Sequence, residues 1–334
     1  MGFNLTRTDF MYVANTPKGS DFGRGEIRKY GPLELEPAAT VFSYGQSLFE
    51  GLKAFRTANN RIVIFRPTEN CKRMNEGAAR FLMSPIPEDV FMDGIKETVK
   101  ANAHYVPPFG KGALYLRPIV FGSGPALGVA PSPVFTFVIY ASPVGNYFKG
   151  GIRGINLIAS EDVHRAAPKG AGYVKAAGNY APCFQIQQAS KKAGYDEVLF
   201  LDAKEDKYVE EAGASNFFCV TPDDTIHTPS LRGTILPGVT RKSLIHLARE
   251  KGIKVNEGSV SIDTVCQAKE AFCSGTGASV TPVASVTYKG NKYLFNNGEV
   301  GKVTRDLYDT LVGIQTERVP DNYGWLYDPF ADKQ

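Results

Sequence analysis

The sequence predicts a mixed α/β (α+β) fold of two domains, the second built on a barrel-like sheet. A chain of 334 residues fits about two domains. Strand and helix patterns alternate in the first half. The second half carries several short strands with only two or three helices among them, which is typical of a barrel-like sheet.

The first domain is predicted over residues 1–143. Turn-forming and apolar residues alternate from Leu33 to Phe55. Three strands are predicted over 61–65, 113–120 and 134–141, and two amphipathic helices over 68–83 and 88–105. Thr68 is the predicted cap of the first helix. The strand over 113–120 carries Arg117, which must be paired, exposed at an edge or directed at an anion.

Residues 144–153 have linker composition, and residues 154–334 form the second predicted domain. Its predicted strands cover 155–159, 197–201, 208–209, 216–220, 270–273 and 280–288. Helices are predicted up to about Gly194, after Gly238, and around Leu307 near the end of the chain.

Composition argues for a small-molecule partner. The formal charge of +4 arises from 38 basic and 34 acidic residues that are evenly spread, which does not suggest a nucleic-acid or membrane surface. The longest apolar run, around 134–144, is too short to span a bilayer. The five cysteines are scattered, so neither a disulfide framework nor a metal site is predicted. We expect an intracellular, reducing compartment: the cytoplasm, or a plastid or mitochondrion if a leader was removed.

Lys175 is the most unusual residue in the sequence. It lies among small residues in the stretch from Gly170 to Tyr180, with no other charge within four positions on either side. Glycines permit close approach of a bulky group, and loss of hydration lowers the pKa of a lysine, so its amine can attack a carbonyl. The alternative interpretation is a solvated lysine in a tight turn.

Two further stretches are suited to an anion. Residues 233–242 place Pro237 and Gly238 directly before an amphipathic helix, whose first N–H groups and positive dipole end can bind a phosphate. Residues 274–279 offer small residues, hydroxyls and bare amides after a strand. Neither stretch matches a nucleotide-binding motif.

Glu210 and Glu211 run into a turn of small residues, where solvated acids are the simple interpretation. Combined with a desolvated lysine and two phosphate sites, one of these carboxylates gains a role as the partner of a protonated pyridine nitrogen. The four signals agree on one cofactor, pyridoxal 5'-phosphate.

The chain resembles the branched-chain amino-acid aminotransferases, with the plant-type enzymes the most similar, from about Thr8 to Gly324. The resembling strings cover 44–55, 65–67, 114–118, 174–180, 211–216, 235–241 and 274–276. The resemblance implies fold type IV of the pyridoxal-phosphate enzymes, with a small α/β domain, a larger pseudo-barrel domain, the cofactor between them, and a homodimer. It implies transamination of leucine, isoleucine or valine with 2-oxoglutarate and the reverse reaction, by a ping-pong mechanism.

By position, the resemblance makes Lys175 the Schiff-base lysine and catalytic base. Glu211 would hold the ring nitrogen, while Glu210 would point away because neighbouring residues of an extended segment face opposite sides. The remaining cofactor contacts would come from Arg73, Tyr180, Val239, Thr240 and Thr276.

For amino-acid and 2-oxo-acid substrates, the resemblance implies the small-domain residues Tyr44, Tyr115 and Arg117 and the amides of Gly277 and Ala278. Leu127 and Val129 lie in a loop that reaches the partner subunit's pocket in relatives. Arg117 is the candidate for the side-chain carboxylate of glutamate.

Departures from the family pattern leave substrate preference open. Ala214 replaces a threonine of mammalian relatives, and the usual plant pattern after the paired glutamates is absent. The alternatives are a related transaminase for methionine, its oxo acid or D-amino acids, or a non-catalytic homologue that binds the cofactor. The direction of flux in the cell stays open.

Overall fold

Two β-sheets organise the protein, for which a computed structural model describes residues 4–145 and 151–331. The mixed α/β fold class is confirmed. The strands, in chain order, are β1 (Phe10–Pro17), β2 (Glu26–Lys29), β3 (Ser47–Phe49), β4 (Leu52–Arg56), β5 (Ile62–Phe65), β6 (Ala113–Gly122), β7 (Val134–Val144), β8 (Ile155–Ala159), β9 (Glu197–Leu201), β10 (Val209–Ala212), β11 (Ser215–Val220), β12 (Ile226–Pro229), β13 (Val255–Gly258), β14 (Glu270–Gly275), β15 (Ser279–Tyr288), β16 (Asn291–Leu294) and β17 (Leu326–Tyr327).

The α-helices, in chain order, are α1 (Thr40–Tyr44), α2 (Pro67–Arg80), α3 (Glu88–Ala101), α4 (Phe184–Lys192), α5 (Val239–Glu250), α6 (Ile262–Cys266) and α7 (Lys302–Gln315). Among the residues that the structure describes, no helix combines the length and apolar character that a membrane span needs.

Backbone contacts divide the chain into two units. The first comprises Met1–Tyr147, Val174–Gly178 and Gly313–Gln334, and the second comprises Phe148–Tyr173 and Asn179–Val312. The domain bounds 1–143, 144–153 and 154–334 stay a prediction. Residues 146–150 of the predicted linker lie outside the described residues.

The first unit contains a sheet in the order β17-β5-β4-β6-β7-β1-β2, with β3 paired to β6. Helix α3 packs on this sheet through Phe91, whose ring stacks on Phe137 with centroids 6.0 Å apart. A Cβ atom at Gly94 would lie 2.8 Å from Cδ1 of Ile139, so this glycine permits the close approach of helix and strand.

Helix α2 differs from its prediction at its start. The prediction that Thr68 caps the helix is wrong, because the cap residue is Arg66, with φ of +47° and no side-chain cap hydrogen bond. Pro67 occupies the first turn, where its missing N–H has no intrahelical partner to lose. The helix therefore begins one residue before Thr68.

The second unit contains a closed ring of strands. Pairing runs from β10 through β9, β8, β15, β14 and β11, and β11 pairs back to β10. The prediction of a barrel-like sheet is therefore confirmed. Alternate residues of a barrel strand face its interior. Buried apolar residues of these strands pack in one cluster, which includes Leu157, Leu199, Phe217, Cys219, Val283 and Val286.

Candidate active site

In the first unit, the segment that carries Lys175 is fixed against strand β3. The backbone N–H of Phe49 donates to the Lys175 carbonyl at 3.1 Å, and Ala176 forms a bridge with Leu48. Val174 and Ala176 are each 2% exposed, whereas Lys175 between them is half-buried. The backbone at Lys175 is therefore fixed against β3, unlike that of a solvated turn.

The Lys175 ammonium lies 4.6 Å from the centroid of the Phe49 ring. Burial lowers the pKa of Lys175 to about 8, and the neighbouring Arg73 acts in the same direction while Glu50 opposes it. A substantial fraction of this amine is neutral near pH 8. A neutral amine is the nucleophilic form, so the surroundings favour the interpretation of Lys175 as a nucleophile.

Arg73 is part of a buried ion pair that the sequence analysis missed. Its Nε and Nη2 atoms each lie 2.7 Å from a carboxylate oxygen of Glu50, and Asn70 Nδ2 donates to the same carboxylate at 2.8 Å. Burial alone would raise the pKa of Glu50, but the Arg73 guanidinium outweighs it and holds that pKa below its usual range. Glu50 therefore fixes Arg73 as a buried cation.

Tyr115 and Arg117 share one face of β6. Both are half-buried, and they alternate with the buried residues Leu114 and Leu116. The Arg117 guanidinium lies 4.9 Å from the Phe49 ring centroid and 5.2 Å from that of Tyr115, and its Nη2 donates to the Tyr115 hydroxyl at 3.3 Å. Lys175 and Arg117 thus both face the Phe49 ring.

The other candidates of the first unit lie at its surface. Leu127 is 95% exposed and Val129 is 90% exposed, and the Tyr44 hydroxyl donates to the Leu127 carbonyl. The structure therefore brings Tyr44 to the loop that carries these two apolar side chains.

In the second unit, Glu211 is 2% exposed and its carboxylate accepts hydrogen bonds from three side-chain and backbone donors. Arg165 Nε lies 2.8 Å from Oε2, while Asn216 Nδ2 and the Leu236 N–H donate to Oε1 at 2.9 and 3.1 Å. These donors compensate the lost hydration of a carboxylate. Arg165 is a second residue that the sequence analysis missed.

Glu210, the neighbour of Glu211, has different partners. It is 6% exposed, and burial raises the pKa of its carboxyl, which forms a hydrogen bond with the Thr234 side chain. The two carboxylates therefore differ in surroundings, as the extended backbone predicts, and Glu211 is the one with a guanidinium partner.

Helix α5 begins with an N-cap at Gly238 that has no side-chain cap hydrogen bond. The first N–H groups of a helix have no intrahelical partner, so Val239 and Thr240 present backbone donors at its positive dipole end. The backbone of Leu236, just upstream, is tied to Glu211 and Asn216. The structure thus brings this helix start to the Glu211 carboxylate.

Strands β14 and β15 are joined by a three-residue loop of half-buried residues, Thr276, Gly277 and Ala278. On β14, Ser274 lies opposite Asn216, which in turn lies opposite Glu211, so the three residues share one face of the sheet. The Ser274 hydroxyl is buried and has no hydrogen-bond partner among the described residues. Buried hydroxyls without a partner are rare in folded proteins, so Ser274 is a candidate contact for a polar ligand.

Tyr180 is half-buried at the start of a 3₁₀ turn, Ala181–Cys183. The candidate residues thus fall into two groups. Lys175, Arg73, Tyr115 and Arg117 lie in the first unit, together with Glu50. Glu211, Tyr180, Val239, Thr240 and Thr276 lie in the second, together with Arg165.

Of the two missed residues, only Glu50 had a signal in the sequence. Glu50 lies between Phe49 and Gly51 in an apolar context, where a buried acid needs a partner. Arg165 precedes Ala166 and Ala167, but its sequence neighbourhood gives no indication of Glu211 as its partner, because 46 positions separate the two residues.

The chain is similar in sequence to known aminotransferases. Residues 47–286 match the family described as Amino-transferase class IV. The chain is 47% identical to branched-chain amino acid aminotransferase 2, chloroplastic, of Humulus lupulus over 98% of its length and 80% of that protein. It is 45% identical to the methionine aminotransferase of Arabidopsis thaliana over 98% of its length and 92% of that protein.

A solved structure of a branched-chain amino acid aminotransferase is also similar to this chain. The branched-chain amino acid aminotransferase of T.th., solved with pyridoxamine 5'-phosphate, aligns with a TM-score of 0.83 and 28% identity, covering 98% of this chain and all of that chain. The chain therefore belongs to the class IV aminotransferase family and, within it, to the branched-chain amino acid aminotransferases.

Proposed function

We propose that this protein transfers the amino group of leucine, isoleucine or valine to 2-oxoglutarate and catalyses the reverse reaction. The observation that carries the proposal is the position of Lys175 in a chain of this family: its ammonium lies 4.6 Å from the Phe49 ring centroid and interacts with the charges of Arg73 and Glu50, and its pKa is lowered to about 8. Its neutral amine is available as a nucleophile and as a base near pH 8.

The described residues fit pyridoxal 5'-phosphate as the cofactor. When bound, this cofactor supplies an aldehyde that captures amines and an aromatic ring that accepts electrons from the substrate. Lys175 Nζ would hold the aldehyde carbon and move the substrate Cα proton. Glu211 would accept a hydrogen bond from the ring nitrogen, and the donors around its carboxylate keep it oriented for this role.

The phosphate would be held by Arg73, the Thr276 hydroxyl and the first N–H groups of α5 at Val239 and Thr240. The support is chemical: Arg73 is a buried cation, and the α5 start has no side-chain cap that competes for its N–H groups. Tyr180 would donate a hydrogen bond to the ring oxygen.

For the substrate, Phe49 and Tyr115 provide apolar ring surface on which a branched side chain can pack. Arg117, held over both rings, would pair with the side-chain carboxylate of glutamate or 2-oxoglutarate. The amides of Gly277 and Ala278 would bind the α-carboxylate.

We also propose a homodimer as the working unit. Leu127 and Val129 are almost fully exposed apolar side chains, and a subunit contact would remove them from water. Sedimentation at micromolar concentration checks this proposal: a dimer that Leu127→Asp dissociates supports it, and a wild-type monomer contradicts it.

A reducing organelle is the proposed compartment. All five cysteines are free, and the Humulus lupulus relative is a chloroplastic protein. A fluorescent fusion of the complete coding sequence that accumulates in the plastid or mitochondrion would support this assignment, and one that stays in the cytoplasm would oppose it.

Methionine is the second candidate substrate, because one relative at 45% identity is a methionine aminotransferase. Ala214, the position at which this chain departs from mammalian relatives, is exposed in the turn between β10 and β11.

Comparing amino donors tests the proposal. With 2-oxoglutarate as acceptor, kcat/KM for L-leucine is expected to exceed that for L-methionine, and D-alanine should give no turnover. A preference for methionine would replace the substrate but keep the reaction. Turnover with D-alanine alone would contradict the proposed function.

A further inference from the structure

Arg165 joins three segments of the second unit that the sequence analysis treated separately. Its Nε lies 2.8 Å from Glu211 Oε2, the carboxylate proposed for the cofactor ring. Its Nη1 donates to the Thr234 carbonyl at 2.9 Å, in the segment that leads to helix α5. Both terminal nitrogens donate to the Gly172 carbonyl, at 3.3 and 3.4 Å, three residues before Lys175 in the sequence.

The surroundings of this guanidinium are closely packed. The side chains of Arg165 and Glu211 are both almost completely buried. A Cβ atom at Gly172 would collide with the Thr234 carbonyl oxygen and lie 2.5 Å from Cβ of Ala166. Gly172 therefore permits two carbonyls to converge on one guanidinium. This close approach is a physical reason for a glycine at position 172.

The guanidinium is suited to this arrangement because it presents several N–H donors in a rigid plane. One edge pairs with the carboxylate while the other donors bind carbonyls. A lysine at this position would offer one compact ammonium and could not hold all three partners in the same geometry. The arrangement is therefore specific to arginine.

We propose that Arg165 is the positioning residue of the second unit's part of the cofactor site, keeping Glu211 ionised and aligning it with the segments at Thr234 and Gly172. The inference rests on the proposed function, because it assigns Glu211 to the cofactor. Without Arg165, a buried carboxylate would lose its charge partner, and desolvation would favour its neutral form. The segment that leads into α5 would lose a tether at the same time.

The variants Arg165→Gln, Glu211→Gln and their double mutant form a cycle that tests this role. The readout is the dissociation constant of pyridoxal 5'-phosphate for each cofactor-free protein, from fluorescence titration, with the visible spectrum recorded against pH. We expect Arg165→Gln to weaken binding by about tenfold or more, as expected for the loss of a hydrogen-bonded charge partner. We also expect it to shift the pH at which the cofactor band changes.

The double mutant should bind nearly as well as Glu211→Gln alone, because both substitutions remove the same interaction. Arg249→Gln is the control: it removes an arginine that contacts Glu257 at 2.9 Å and is 54% exposed. Combined with Glu211→Gln, it should give additive effects. Arg165→Lys should fall between wild type and Arg165→Gln.

The outcomes separate this proposal from the proposed function. A wild-type chain that does not bind pyridoxal 5'-phosphate overturns both. A wild-type chain that binds it, with a folded Arg165→Gln variant that matches it in affinity and pH response, overturns the role of Arg165 alone. Additive effects of Arg165→Gln and Glu211→Gln on the dissociation constant also overturn the role of Arg165. If Arg165→Gln does not fold, Arg165→Lys decides: wild-type affinity and pH response in that variant contradict the proposal.

Discussion

Arg73 and Glu50 form a buried ion pair through two contacts of 2.7 Å. Glu50 is 0% exposed and Arg73 is 9% exposed. The two charges shift the pKa of Lys175 in opposite directions: Arg73 lowers it and Glu50 raises it. The pair therefore limits how far the positive charge of Arg73 can lower the pKa of Lys175. It also holds the guanidinium in place before any anion arrives.

Glu50→Gln is expected to destabilise the protein. Removing one charge of a buried pair leaves the other uncompensated, at a cost of about 3–5 kcal/mol. Urea unfolding of the two proteins at pH 7 measures the difference. The pKa of Glu50 is lowered in the folded state, so its contribution is present above the unfolded pKa of 4.5 and is lost as pH falls through the folded pKa. The difference in the free energy of unfolding between wild type and Glu50→Gln should therefore narrow as the pH falls. A difference that stays constant with pH would refute this account of Glu50.

Cofactor incorporation should depend on pH through Lys175. Its pKa of about 8 means that the neutral amine becomes the major form above pH 8, whereas an ordinary lysine requires pH 10.5. The rate at which cofactor-free protein incorporates pyridoxal 5'-phosphate should rise with a midpoint near pH 8. A midpoint above pH 10 would show that Lys175 behaves as a solvated lysine.

Arg117→Met should separate the two substrates. Loss of a charge-assisted hydrogen bond is worth roughly 1.5–3 kcal/mol, so KM for 2-oxoglutarate should rise by about tenfold to hundredfold. The KM for L-leucine should change much less, because its side chain carries no charge. Arg56→Met, on neighbouring β4 and bonded to Asn60, is the control. Equal effects on both substrates would exclude the proposed role of Arg117.

Gly172→Ala and Gly178→Ala form a matched pair within the stretch that contains Lys175. A Cβ atom at Gly172 would collide with backbone, whereas one at Gly178 meets nothing within 4 Å. Gly172→Ala should lower the midpoint of thermal unfolding and the affinity for pyridoxal 5'-phosphate, and Gly178→Ala should change the midpoint little. Equal tolerance at both sites would contradict the close approach of Gly172 and Thr234.

Local sequence patterns predicted most of the helices and strands. They failed where contacts between distant residues determine the local structure. Strands β8 and β9 have the predicted bounds, because apolar runs between turn residues leave little choice. Helix α2 was predicted to begin with a Thr68 cap, but Pro67 directs its start instead. The short strand Glu26–Lys29 was missed because its mostly polar, exposed residues show no clear alternation.

The candidate active site was likewise predictable only in part. Lys175 was identifiable because an isolated charge among small residues is visible in the sequence. The partners that define its chemistry were not, since Glu50 and Arg73 meet across 23 positions and Arg165 and Glu211 across 46. Such pairs depend on which distant segments of the chain become neighbours in the fold, and a single sequence does not reveal that.

The visible absorption of the purified protein, recorded before and after L-leucine is added without an oxo acid, tests the central claim most directly. We predict that the band of the bound cofactor disappears with leucine and returns with 2-oxoglutarate, and that Lys175→Arg abolishes catalytic turnover. A cofactor band that no amino acid changes, or full turnover in Lys175→Arg, would contradict the assignment of this protein as a transaminase that acts through Lys175.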